Sequence, residues 1–530
     1  MAGPQPAPQR AWRAACPNCG APVEFRSAAS ASAICSFCRS TLARDGETLR
    51  RVGTSAELFD DHSPLQLGAT GRAQGVSFTL IGRLQHGYPD GTWNEWHVLF
   101  DNGRTAWLSE DNGAYVLSLE AELAGPAPTA TGLSPGQRVR LGGGDWQVAS
   151  IVRARLLAAQ GELPRTPHAD AGEFVVVDLR NPSGEVATLD YGAEGGPDFS
   201  IGRSATLDEL SMQGLRESSE KSLAARSLNC PQCGAALELR LASAQSLSCV
   251  QCHALIDLSH GFGEQLASVA QAARPPSGQE PRIALGTTGR LAVDGTQPSD
   301  WQVVGFLVRT DIPEDGDESP TPWREYLLYH RTAGFAFLVD TSEGWSVVRP
   351  LTGAPELRSG RATWQGERYR EGHTYAARVS WVEGEFYWRV ERDETATVTD
   401  YAGEGAAAGR LLSRERTDAE VTWSGGRQLD AAEVARAFGL GGPQAGVRAD
   451  VRPLSSGSNG MSLKTVLILL AILVVVMLLM SRCGGDDCDD VARAYGANSS
   501  EYRQCVQARS RGGRAAGGSF GGYSTGGGHK

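Results

Sequence analysis

At 530 residues and 56.3 kDa the chain has room for about three or four domains of roughly 150 residues each. Hydrophobic residues at 41% and charged residues at 21% are the balance of a folded protein and exclude a fibrous, collagen-like or wholly membrane-embedded one. Lys and Arg number 50 against 61 Asp and Glu, a net charge of −11, which is not the basic surplus of a nucleic-acid clamp.

Residues 1–11 are expected to be disordered, and Met1–Ala15 lacks the apolar core of a signal peptide. A ribbon is predicted over 12–51. There Cys16-Pro17-Asn18-Cys19 is followed, after fifteen residues, by Cys35-Ser36-Phe37-Cys38. Each C-x2-C turn aims two thiolates at one point, and two such turns complete a tetrahedral four-sulfur site for structural zinc. A disulfide framework, a redox pair and an iron–sulfur cluster are weaker readings. Thiols in this pattern favour metal in a reducing compartment, and a redox C-x-x-C stands singly beside a βαβ unit. Four sulfurs leave no position for a water, so the metal holds the fold and supplies its folding energy.

Residues 60–225 read as a β-domain. It opens on Leu67-Gly68-Ala69-Thr70-Gly71-Arg72 and continues through Trp93-Asn94-Glu95-Trp96, where Trp96, Val98 and Phe100 alternate with His97, Leu99 and Asp101. Turns at Asp101–Arg104 and Asp111–Gly113 flank a strand over Thr105–Leu108, and Asn181-Pro182-Ser183-Gly184 links strands over Glu173–Arg180 and Glu185–Tyr191. Helical periodicity appears only at the end, around Leu207–Ala225.

The pattern then repeats. A second ribbon over 226–265 has Cys230-Pro231-Gln232-Cys233 and Cys249-Val250-Gln251-Cys252 at the same separation, with His253 read as surface or second shell. The ribbons carry net charges of +3 and −1, so they share no footprint for nucleic acid. Residues 280–440 repeat the β-domain: Leu285-Gly286-Thr287-Thr288-Gly289-Arg290, then Trp323-Arg324-Glu325-Tyr326. Strands are predicted over Glu325–His330, Phe335–Asp340 and Trp345–Arg349, then a hairpin of Tyr375–Val382 and Glu385–Arg392 about Glu383-Gly384, and a helix near Asp430–Phe438. The fold class is mainly β: two zinc-ribbon plus antiparallel β-meander units, each a twisted sheet or partly closed barrel with a short trailing helix, and one C-terminal transmembrane helix.

Asp190-Tyr191-x-x-Glu194-Gly195 and Asp400-Tyr401-x-x-Glu404-Gly405 close the parallel. Paired carboxylates suit acid–base work. No His, Cys or Ser recurs with them at fixed spacing, which favours a strand-ending turn with Tyr packed beneath. Trp93, Trp96, Trp323 and Tyr326 read as core rather than as a ligand face. The residues quoted resemble the bacterial family called domain of unknown function 4178, over roughly 65–200 and 280–405. The resemblance implies a bacterial source and association with membrane-stress gene sets, and it brings no catalytic residues.

Residues 441–462 read as a flexible linker, and Leu463–Ser481 is apolar apart from Lys464. Nineteen residues span roughly 28 Å, matching a hydrocarbon core of about 30 Å, so a single transmembrane helix is predicted. Arg448, Arg452 and Lys464 outnumber Arg482 and Arg493 across it, and eight thiols belong in a reducing compartment, so the N-terminal part is placed in the cytoplasm. The tail, 482–530, then lies outside, where Cys488 and Cys505 can form a disulfide worth about 3 kcal/mol, leaving Cys483 odd. Its Gly-rich end is predicted disordered. The expected function is a non-enzymatic scaffold of the inner membrane that binds a protein partner on the cytoplasmic side, in envelope stress. The alternatives are a membrane-tethered nucleic-acid-binding regulator and an enzyme working through the Asp-Tyr-x-x-Glu-Gly motifs.

Overall fold

The computed structural model describes residues 12–441 except 57–62, 90, 112–113, 168–171, 193–195, 217–227, 242–243, 259–265, 294–296, 314–319 and 332. The first ribbon pairs β1 (Trp12–Ala15) with β2 (Pro22–Phe25), and β3 (Ser32–Ile34), β4 (Ser40–Asp45) and β5 (Thr48–Thr54) follow as an antiparallel sheet. The first domain runs β6 (Thr70–Ala73), β7 (Val76–Tyr88), β8 (Gly91–Phe100), β9 (Thr105–Asp111) and β10 (Ala114–Glu120). It continues with β11 (Arg138–Leu141), β12 (Gly144–Leu163), β13 (Phe174–Arg180), β14 (Glu185–Asp190) and β15 (Asp198–Ala205). The second ribbon is β16 (Leu228–Asn229), β17 (Ala236–Leu237), β18 (Ser246–Ser248), β19 (Leu255–Asp257) and β20 (Ser268–Val269). The second domain begins with β21 (Thr288–Leu291), β22 (Ser299–Ile312), β23 (Pro322–His330), β24 (Gly334–Thr341) and β25 (Gly344–Pro350). After the short β26 (Glu356–Arg358) and β27 (Arg361–Trp364) come β28 (Glu367–Phe386), β29 (Thr395–Gly403), β30 (Arg410–Arg416), β31 (Val421–Leu429) and helix α1 (Ala431–Phe438).

In the first domain two four-stranded meanders, β7 to β10 and β12 to β15, meet along two seams. β10 pairs with β15 and β7 with β12, so eight antiparallel strands close into a barrel. The second domain does the same with β22 to β25 and β28 to β31, sealed by β25 with β31 and β22 with β28. Closure leaves these strands no unpaired edge, which the expected partly closed sheet would have kept. The 20-residue strands β12 and β28 are the spines. Each pairs along its length first with the next meander strand, then with the first strand of the other meander, and at its end with the ribbon.

That seam explains where the sequence misleads. Glu383-Gly384 is not a hairpin turn: β28 continues through it to Phe386, and residues 387–392 are not its return strand. Gly384 (φ 94°) lies where β28 crosses β22 so closely that a Cβ would sit 2.4 Å from the Val304 carbonyl oxygen; Gly161 (φ 72°) does the same against Ile81, at 2.3 Å. Such a glycine marks a close backbone approach inside a strand, not a reversal.

Strand β8 is buried on both faces, so its alternation does not separate core from solvent. Trp93 packs with Val152, Ala154 and Val176, while Trp96 and Val98 lie beneath Leu65, Leu207 and Leu210. The four motif aromatics are core: none of Trp93, Trp96, Trp323 and Tyr326 is more than 5% exposed. The helix expected around Leu207–Ala225 is absent among the described residues. Leu207–Met212 forms a turn, capped by Thr206 and Glu209, and Gln213 then pairs back onto Thr70. In the second domain α1 takes that place, with Val434 and Phe438 buried. Gly71 and Gly289 of the opening motifs make room for these plugs, since a Cβ would meet Met212 at 2.5 Å in one domain and Phe438 at 2.4 Å in the other.

No helix among the described residues is long and apolar enough to cross a membrane. The run 463–481, the linker beyond Gly441, Glu194, Cys483, Cys488 and Cys505 all lie outside the described residues.

Candidate metal centres

The eight ribbon cysteines fall into two quartets whose sulfurs lie within 4.8 Å of one another: Cys16, Cys19, Cys35 and Cys38, and Cys230, Cys233, Cys249 and Cys252. All eight are free of disulfides. Four local turns build them. The N–H groups of Gly20, Arg39, Gly234 and His253 donate to the carbonyls of Cys16, Cys35, Cys230 and Cys249 at 2.8–2.9 Å. Each of those donors has a positive φ (75°, 57°, 75° and 59°), which swings the chain back beneath the thiols. His253 is therefore a turn residue beside its quartet, not a ligand of it.

The quartets can hold a metal ion, and their dimensions suit zinc. Cys16–Cys38, Cys19–Cys35, Cys230–Cys252 and Cys233–Cys249 are each 3.7 Å apart between sulfurs. A tetrahedron with metal–sulfur bonds of about 2.3 Å has edges of about 3.8 Å. The thiols also titrate unevenly. Cys38 is pulled down to about 5 by hydrogen bonds from Asn18 and Ser40. Cys19 is favoured as a thiolate by the Ala21 N–H, yet its neighbours, led by Cys38, push it up to about 12. In the second quartet burial raises Cys249, but the Cys252 and Gln251 N–H groups bring it to about 7, while Cys252 rises to about 12 despite the Ala254 N–H. Four adjacent thiolates repel one another, so full ionisation needs a cation at the centre.

A second pair of residues, absent from the sequence reading, docks each ribbon on its barrel. Glu162, near the end of β12, accepts from the N–H groups of Arg26 (2.8 Å) and Ser27 (3.1 Å) and from the Ser30 hydroxyl (3.1 Å). Glu385 at the same place on β28 accepts from the N–H groups of Arg240 (3.0 Å) and Leu241 (2.5 Å). The signal was available: Gly161-Glu162-Leu163 and Gly384-Glu385-Phe386 repeat glycine, glutamate and a large apolar residue. Burial pushes Glu385 from 4.5 up to about 7, against the Leu241 and Arg240 N–H groups. The folded chain thus keeps this proton where the unfolded chain has lost it, so stability falls as pH rises from about 4.5 to 7. Glu385→Ala, which orphans two N–H groups, is expected to cost about 1.5–3 kcal/mol in urea titrations. Glu385→Gln keeps an acceptor, and its stability relative to wild type is expected to improve from pH 5.5 to pH 8.

The Asp-Tyr motifs are not equivalent. The domains equate strand by strand, and register then fixes the positions. Asp178 on β13 faces Thr188 on β14, as Asp400 on β29 faces Ser413 on β30, so the partner of Asp400 is Asp178. Both carboxylates sit between two hydroxyl donors, Ser150 and Thr188 at 3.1 Å for Asp178, Tyr375 (2.9 Å) and Ser413 (2.8 Å) for Asp400. Burial pushes Asp178 up to about 7, with Arg180 and the hydroxyls opposing. Asp190 instead corresponds to Glu415, and there it ends β14 in the expected turn, accepting from the Gly192 N–H at 2.7 Å. Tyr191 donates to the Pro128 carbonyl (2.8 Å), Tyr401 packs on Trp423, and Glu404 lies 3.5 Å from Arg361.

In the W-x-E motifs the Trp93 indole donates to Glu95 (3.3 Å) and the Trp323 indole to Glu325 (2.7 Å). In the second barrel Glu325 belongs to a fully buried ionic triad. Arg309 on β22 bonds Glu415 at 2.9 Å and lies 3.6 Å from Glu325. Burial pushes Glu325 up to about 7, although Arg309 favours its charge, and lifts Glu415 well above the carboxylate range.

The chain matches the sequence family described as Domain of unknown function (DUF4178) twice, over residues 66–206 and 291–431, together more than half its length. No curated protein and no solved structure matches it.

Proposed function

Because the chain belongs to the DUF4178 family, in two copies each preceded by a four-cysteine ribbon, we propose that it is a membrane-anchored, non-enzymatic binding scaffold whose ribbons hold two structural zinc ions. The observation that carries the binding role is where apolar surface is left open. Among the described residues the two most exposed large apolar side chains are Phe37 (73%) and Val250 (84%), and both sit on the second cysteine turn of a ribbon. A closed four-sulfur site has no position for substrate, so the metal serves to present these tips rigidly. The apolar run Leu463–Ser481 supports the anchor, and the need for eight thiolates supports a cytoplasmic placement of the ribbons. The partner is then a cytoplasmic protein, and a role in envelope stress is what the family resemblance implies.

A photocrosslinker placed at position 37 or 250 of the full chain in native membranes tests this reading. The expected result is one recurrent protein captured from the membrane fraction, lost on replacing the other tip with serine and not captured from position 13. Capture of the same mixture from all three positions, or a chain that alkaline carbonate strips from the membrane, would contradict it.

A further inference from the structure

We infer that the mouth of the first barrel is a binding site for a guanidinium group. The second barrel shows what this place accommodates. Trp93 on β8 faces His86 on β7, as Trp323 on β23 faces Arg309 on β22, so His86 stands where the second barrel has Arg309. By the same registers Glu95 matches Glu325 and Asp190 matches Glu415. The two acids that clasp the Arg309 guanidinium therefore persist in the first barrel, where an imidazole stands in the place of that arginine.

Among the described residues nothing else fills the space. After β28 the chain sends Tyr387 and Trp388 into the second barrel's core, 2% and 1% exposed, against Phe335 and Phe337. Leu163 pairs with Ser32 and Phe386 with Ser246, so the corresponding residues after β12 are Pro164 and Arg165. They leave a cavity of about 180 Å³ lined by His86, Glu95, Trp107, Asp190 and the polar groups of its rim. His86 is 6% exposed, and neither of its ring nitrogens has a hydrogen-bond partner among the described residues. Its Nε2 stops 3.7 Å from Glu95, and its ring is stacked on Trp93 at 4.9 Å. A buried imidazole without a hydrogen-bond partner at the wall of a polar cavity is a group arranged for a ligand.

Charge decides the ligand's class. The rim adds Glu120 and Asp198, where register puts the uncharged Pro350 and Thr422 in the second barrel, and one cation, Arg165, which bonds Asp198, lies 3.5 Å from Glu120 and also interacts with Asp190. Four carboxylates therefore face one arginine and one histidine. A planar cation with several N–H donors satisfies such a set and can lie against the Trp107 ring. A metal ion fits less well: among the described residues only the cysteine quartets bring three or more ligand groups within 4.8 Å of one another. The inference rests on this cavity and not on the scaffold reading.

The test is calorimetric titration of the full, metal-loaded chain with agmatine and with Nα-acetyl-arginine methylamide, using neutral N-butylurea as control. Binding of agmatine marks a free small molecule as the ligand, and binding of only the blocked arginine marks an arginine side chain of a peptide. Either supports the site, provided butylurea does not bind. His86→Arg, which gives this barrel the second barrel's own guanidinium, is expected to weaken binding at least tenfold while the thermal transition is kept. Glu95→Gln is expected to weaken it similarly and serves if His86→Arg does not fold. Absence of binding by both cations, equal binding of butylurea, or unchanged affinity in a folded variant would overturn the inference.

Discussion

Serine at Cys249 is expected to loosen the second barrel together with its ribbon, whereas serine at Cys35 is expected to unfold the first ribbon and leave its barrel standing. The difference lies in the cores. The first ribbon packs largely on itself, around Cys16, Val23, Phe25, Ala33, Cys35 and Leu42. Leu237, Leu247 and Ile256 of the second ribbon belong instead to one continuous core with Phe337, Phe386 and Trp388 of the barrel. Structural zinc contributes on the order of 10 kcal/mol of folding free energy, more than so small a core as the first ribbon's can replace. Hydrogen exchange read by mass spectrometry separates the cases. Cys35→Ser should deprotect residues 12–54 and little else, while Cys249→Ser should raise exchange along β18 and β19 and into β22, β24 and β28. Identical, ribbon-confined patterns in the two variants would show that the shared core carries no coupling.

Arg309→Met is expected to be the most damaging substitution in either barrel interior. It leaves Glu325 and Glu415 buried without their cation, and breaking a buried ion pair from one side costs about 3–5 kcal/mol. Replacing all three residues by apolar ones of similar volume is expected to recover most of that loss, since the desolvation penalty goes with the charges. The cost should also depend on pH. Folded Glu325 holds its proton to about pH 7, where the unfolded chain releases it near 4.5, so its contribution is full at low pH and lost as pH rises through that window. Removing Arg309 lifts both acids further, so the variant should be closer to wild type at pH 5.5 than at pH 8. Equal losses at both values, measured by urea unfolding, would mean that the triad does not hold its charges as described.

What could be read in advance was what local chemistry dictates. Cysteine spacing brought the quartets together because a C-x2-C turn is a local structure. Asn181–Gly184 and Asp101–Arg104 gave their hairpins because the turn residues are the signal. The failures share a cause in long-range register. Glu383-Gly384 looks like a turn, but the glycine answers to Val304 on a strand far off in sequence. The Asp-Tyr motifs look alike, yet one ends β14 and the other lies within β29, so their similarity is not of position. Leu207–Met212 has a capped, apolar start, but Gln213 is drawn back to Thr70 before a helix can form. The cavity at the first barrel mouth was not legible at all. Its walls come from β7, β8, β9, β10, β12, β14 and β15, and only superposing the two registers reveals that His86 stands in an arginine's place.

Native mass spectrometry of the intact chain, isolated under reducing conditions, tests most directly the claim that both ribbons are closed zinc sites. Two zinc ions per chain are expected, falling to one when either quartet loses a cysteine to serine. A chain that is folded and fully reduced yet carries no zinc, or carries iron in its place, would contradict it.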